Sequence, residues 1–95
     1  MDEEEARGVL DKRVAELRLQ SYFDLKADWF RQPDCEQVRG PSGVEYQIEI
    51  EALWDDRRAR TLRIVVSVDD GSGWRAFAPL TDSFIVAPDG SFVGE

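Results

Sequence analysis

The residues in this chain that could do chemistry are carboxylates. Glu49 and Glu51 are separated by one residue in a segment of strand character. On a strand they project from one face about 7 Å apart, within the range used by paired-carboxylate hydrolases. The plainer account is the wet face of an amphipathic strand. Asp55-Asp56 and Asp69-Asp70 are two further acidic pairs. They fall at opposite ends of a second strand, so they cannot share one ion. Asp69-Asp70-Gly71-Ser72-Gly73 has the oxygen-rich chemistry of a weak Ca²⁺ loop. It lacks the spaced acids and distal glutamate of a calcium-binding hand, and a tight hairpin turn explains it more simply.

Other chemistries lack their residues. The chain has no histidine, so it has no Ser-His or Cys-His nucleophile and no histidine-bearing metal site. Its single cysteine, Cys35, makes neither a disulfide nor a thiolate zinc site. As a nucleophile Cys35 needs an activating cation, and Arg31 is the nearest in sequence. Gly71-Ser72-Gly73 and Gly40-Pro41-Ser42-Gly43 lack the lysine and following helix of a phosphate loop. No catalytic residue, metal ligand or cofactor site is expected, and the chain is read as non-enzymatic.

Recognition is the remaining possibility. Trp29, Trp54 and Trp74 are many tryptophans for 95 residues. Trp54 and Trp74 fall on an apolar face near strand ends, where core-edge packing or an aromatic interface anchor fits. Arg57, Arg58 and Arg60 form the one basic cluster, inside a polar loop, and are read as solvated.

Charge narrows the partner. The formal net charge is −8 and the isoelectric point is about 4.5. Residues 1–36 and 37–95 each carry ten acids and six bases, so the acidity is not confined to a tail. No basic footprint for nucleic acid is present, and an anionic membrane surface would repel the chain. A basic protein is the partner that this charge attracts. The lone thiol, the acidic start Met1-Asp2-Glu3-Glu4-Glu5 and the lack of a long apolar run suit a cytoplasmic protein.

The elements that position these residues follow from periodicity. Ala6, Val9, Leu10, Val14 and Leu17 have the 3, 4 spacing of one helical face. Asp2 to Glu5 place negative charge at that helix's N-terminus, and Gly8 weakens its first turns. A second short helix is expected after Ser21 as N-cap, with Tyr22, Lys26, Trp29 and Phe30 on one face and Pro33 ending it. A strand is the competing reading of residues 20–32, because aromatic residues favour strands.

Beyond Pro33 the period changes to two. A short strand is expected at Glu36–Arg39, then a turn at Gly40-Pro41-Ser42-Gly43. From Val44 to Trp54 the even positions are apolar and, except for Leu53, the odd ones polar. Leu62, Ile64, Val66 and Val68 repeat the even-apolar pattern. A one-residue slip would turn every apolar side chain outward, so even positions must face even positions. One such register pairs Glu51 with Arg63; another lies two residues along. Trp74, Ala76 and Ala78 continue the even face as a third strand, with Trp74 opposite Val68 and Ala76 opposite Val66. Pro79 stops it. Phe84–Ala87 forms a fourth strand, and Ser91-Phe92-Val93 returns after the turn at Pro88-Asp89-Gly90. The expected fold is α+β and a single domain over 1–95. A helix or two helices, about 3–32, cover one face of a three- to five-stranded, mainly antiparallel meander over about 36–95.

Gly40-Pro41-Ser42-Gly43, Tyr46-Gln47-Ile48-Glu49-Ile50-Glu51, Trp54-Asp55-Asp56, Val68-Asp69-Asp70-Gly71, Arg75-Ala76-Phe77 and the ending Pro88-Asp89-Gly90-Ser91-Phe92-Val93-Gly94-Glu95 resemble a family of small uncharacterised bacterial domains. The resemblance spans roughly residues 38–95, excludes the helices, and implies no activity or residue role.

The expected function is a protein-binding module, immunity- or inhibitor-like or accessory. Glu49 and Glu51 are the candidate contacts on an acidic sheet face, and Trp54 and Trp74 those on an aromatic edge. The alternatives are a small carboxylate enzyme or weak metal-binding domain using Glu49, Glu51 and Asp69 or Asp70, and an accessory domain that self-associates through an open edge strand.

Overall fold

The structure is a computed structural model, and it describes residues 2–70 and 79–95. The chain begins with α1, Glu3–Arg18. Asp2 caps it, its side chain accepting the Glu5 N–H at 3.1 Å, and Glu3, Glu4 and Glu5 complement the positive helix end. Ala6, Leu10, Val14 and Leu17 are buried along one stripe. A second helix, α2, spans Tyr22–Trp29, with Ser21 accepting the Asp24 N–H at 3.1 Å. So residues 22–29 are helical, and the strand reading of this segment falls. The buried stripe of α2 is Tyr22, Leu25 and Trp29. Leu25, not Lys26, is its centre, because the apolar side chain takes the buried position and the ammonium stays at the flank. The helix stops before Pro33: Phe30 is extended and Arg31 takes φ 54°.

Four strands follow: β1 (Asp34–Arg39), β2 (Glu45–Asp56), β3 (Thr61–Asp69) and β4 (Leu80–Val86). They form one antiparallel sheet in the order β1-β2-β3-β4. The two helices pack on one face of this α+β sheet, chiefly over β2, β3 and β4. Ile48, Ile50, Ile64, Val66, Phe84 and Val86 are buried beneath them. The even positions are therefore the core positions, as the alternation requires. Val44 is the exception: it lies in the turn before β2 and is 44% exposed. The odd positions of the strands form the opposite face, which neither helix covers.

Between β2 and β3, Ile48 faces Val68, Ile50 faces Val66 and Leu53 faces Arg63. Glu51 faces Val65, so the expected Glu51–Arg63 pair does not form. Both registers satisfy parity, and the hairpin loop selects between them. Thr61 Oγ1 accepts the Asp56 N–H and donates to Asp55; the Asp56 carboxylate accepts the N–H groups of Arg58 and Ala59; Arg60 adopts φ 59°. A register shift between Trp54 and Asp56 completes the closure.

The third-strand expectation needs correction. On β3, Val66 faces Asp82 and Ile64 faces Phe84, so the edge assigned to Ala76 and Ala78 is taken by β4. β2 occupies the other edge. Residues 80–86 bring seven consecutive ladder pairs to β3. Residues 71–78, which hold the expected turn at 71–73 and Trp74, Ala76 and Ala78, lie outside the described residues. After β4, Gly90 (φ 87°) donates to Ala87 O, and Phe92 returns opposite Val86, as expected. Neither helix is long and apolar enough to cross a membrane.

Candidate functional site

The sheet face turned away from the helices holds the candidate glutamates. β2 is an inner strand, so Glu49 and Glu51 stand near the middle of that face. Glu49 is exposed and lies between Cys35 of β1 and Ser67 of β3. Glu51 is half-buried beside Val65. Neither carboxylate has an ion pair or hydrogen bond among the described residues. The two strand arginines of this face stand near its ends and are engaged. Arg39 bonds Glu45 at 3.2 Å, and Arg63 bonds Asp55 at 3.3 Å and Ser83 at 3.2 Å. Ser67 and Thr81 share a hydroxyl hydrogen bond of 3.2 Å. The direct strand neighbours of these two carboxylates, Cys35, Ser67 and Val65, are uncharged.

Trp54 is not part of this surface. It has even parity and lies on the helix side, half-buried, with its ring centroid 5.0 Å from that of Phe30 and the Lys26 ammonium 5.0 Å away. The structure therefore places Glu49 and Glu51 on one face and Trp54 on the other. Trp74 lies outside the described residues. Trp29 is core, with the Arg13 guanidinium 5.8 Å from its ring.

Comparison of the chain with protein-family models gave no match, and comparisons with curated proteins and with solved structures gave none either. The resemblance over residues 38–95 rests on its motifs alone.

The other candidates have structural duties or no partners. Asp55 and Asp56 close the hairpin loop. Among the described residues, no three acidic or thiol groups are arranged to hold a metal ion. Cys35 is exposed, while the Arg31 guanidinium lies 5.4 Å from the Phe30 ring. Arg57, Arg58 and Arg60 are exposed in their loop, and Arg60 contributes its carbonyl to the Tyr22 hydroxyl at 2.6 Å.

The strongest electrostatic perturbation joins α1 to the first hairpin. Glu5 accepts from Ser42 N–H at 3.0 Å, from Ser42 Oγ at 2.7 Å and from Tyr46 Oη at 2.7 Å. These bonds, Ser42's hydroxyl foremost, hold the Glu5 carboxyl below its usual range. The same carboxylate, with burial, pushes the Tyr46 phenol up to about 12. Gly40 makes this clasp possible: a Cβ there would stand 2.7 Å from Glu5 Oε1 and 2.8 Å from Tyr46 Cε2.

One feature escaped the sequence. A groove of 790 Å³ runs between α1 and β1, with Val9, Val38 and Ile48 among its lining. Gly8 is its local signal: nothing lies within 4 Å of where its Cβ would be. In sequence Gly8 reads only as a weak helix position.

Proposed function

We propose that this chain is a non-enzymatic, cytoplasmic protein-binding domain that presents its open sheet face to a basic protein surface, as an inhibitor or immunity protein masks a cationic site. The observation that carries the reading is the pair Glu49 and Glu51. Among the described residues they have no ion pair or hydrogen bond, and they stand at the middle of a face that neither helix covers and whose strand arginines are bound near its ends. Such a face attracts a cationic partner at long range, and it presents carboxylates that a partner's arginines can engage in two-pronged fashion. The polar neighbours Ser67, Thr81 and Ser83 suit a wet, hydrogen-bonding interface.

The test is association kinetics against a panel of folded basic proteins at two salt concentrations. Association through this face slows as salt rises, because exposed charges are screened beyond about 8–10 Å at physiological ionic strength. Replacing both carboxylates, Glu49→Lys with Glu51→Lys, slows it many-fold and leaves the melting temperature unchanged. Binding that ignores both salt and the double reversal defeats the acidic-face reading and moves the contact to the Trp54 edge, where apolar burial drives association.

A further inference from the structure

The groove between α1 and β1 lies away from the acidic face, on the helix side of the sheet, and it differs in chemistry. The helices leave β1 largely uncovered, so Val9 and Val38 are only half-buried. They form an apolar floor with Ile48. Gly8 keeps the helical wall open.

β1 is also the terminal strand of the sheet. Gly40 N–H donates to Val44 O at 2.8 Å. Stepping back by two, as an antiparallel ladder alternates, turns the backbone groups of Val38 and Glu36 toward β2 and those of Gln37 and Arg39 outward. The Cys35 N–H, which also faces outward, is capped by the Asp34 carboxylate at 3.0 Å. The edge left unpaired among the described residues is therefore short and sits beside the groove.

The uncommitted charge here is positive, on a chain of net charge −8. Lys12 is exposed at the rim and has no ion pair or hydrogen bond among the described residues. Arg39 also borders the groove, but its guanidinium is held by Glu45 at 3.2 Å on the opposite face of the strand. Of the lining carboxylates, Glu5 is turned into the Ser42–Tyr46 clasp and Glu16 is held by Arg13 at 3.4 Å.

We propose that this groove and strand edge bind an extended, acidic segment of a partner protein. The segment adds to β1 as a fifth strand. It lays an apolar side chain on Val9 and Val38 and sets a carboxylate against Lys12. Backbone pairing supplies affinity, and the groove reads alternate side chains. A small amphipathic carboxylate would fill the groove and leave the outward Gln37 and Arg39 groups unpaired.

The experiment pans a displayed library of decapeptides on the intact protein. Enriched peptides are then made and titrated by isothermal calorimetry. The expected winners alternate apolar and acidic residues. Gly8→Leu fills the groove wall while improving the helix, and Lys12→Glu reverses the rim; each weakens binding about tenfold or more. Gln37→Pro removes an outward donor at an edge position that tolerates proline, and it weakens binding too. Glu49→Lys with Glu51→Lys leaves it unchanged, which separates this site from the acidic face. Failure to enrich any peptide over an unrelated control protein overturns the proposal, as does binding indifferent to Gly8→Leu and Lys12→Glu. Decanoate binding that displaces the peptides yet ignores Gln37→Pro overturns it in favour of a small ligand. Dimerisation in sedimentation, abolished by Gln37→Pro and in place of peptide binding, overturns it in favour of a second copy.

Discussion

The Tyr46 hydroxyl donates a 2.7 Å hydrogen bond to the Glu5 carboxylate, joining the first turns of α1 to the start of β2 across 41 residues of sequence. Tyr46 is fully buried, so its oxygen has no water to fall back on. The clasp predicts pH dependence of opposite sign at the two extremes. Glu5 has a depressed folded pKa, so its stabilisation is present above the unfolded carboxylate range and is lost as pH falls through the folded value. Tyr46 has a raised one, so its contribution is full below 10.0 and is lost as pH rises toward about 12. Urea titrations across both ranges should show the alkaline loss in the native chain and not in Tyr46→Phe. That variant should cost about 0.5–1.5 kcal/mol at neutral pH, the usual net value of one hydrogen bond.

Two glycines should respond oppositely to one extra methyl. Gly40→Ala forces a Cβ against Glu5 and Tyr46 and should cost about 1–3 kcal/mol. Gly8→Ala meets nothing and should stabilise by up to about 1 kcal/mol through helix propensity. Denaturant midpoints of the two variants check this, and equal midpoints would refute the assigned environments.

The core assignment predicts that Ile50→Ala and Ile64→Ala each cost about 2–5 kcal/mol, because both side chains are fully buried beneath the helices. Glu45→Ala should stay within about 0.5 kcal/mol, since its ion pair with Arg39 is open to water. Chemical denaturation of the three variants separates the two classes.

The open face predicts charge changes without a stability cost. Glu49→Gln and Glu51→Gln should each alter unfolding free energy by no more than about 0.5 kcal/mol, because neither carboxylate is paired among the described residues. A large destabilisation of either would mean that the pair holds the sheet together and does not serve recognition.

Features that depend on near neighbours are legible in the residues themselves. The acidic start of α1, the Ser21 cap, the helical stripe from Ala6 to Leu17 and the even-apolar parity of β2 and β3 are all local, and all appear in the structure. Parity alone already puts Glu49 and Trp54 on opposite faces. Tertiary structure decided what parity leaves degenerate. Two registers bury the same side chains, and the Asp55–Thr61 loop bonds chose the one that sets Leu53, not Glu51, opposite Arg63. Which later segment pairs with β3 was likewise beyond local pattern, since several short apolar runs satisfy it and only the summed ladder selects residues 80–86. The groove was least legible. It exists because α1 crosses the sheet without covering β1, and no spacing within Val9 or Val38's own segment encodes where a helix some thirty residues away in sequence comes to rest.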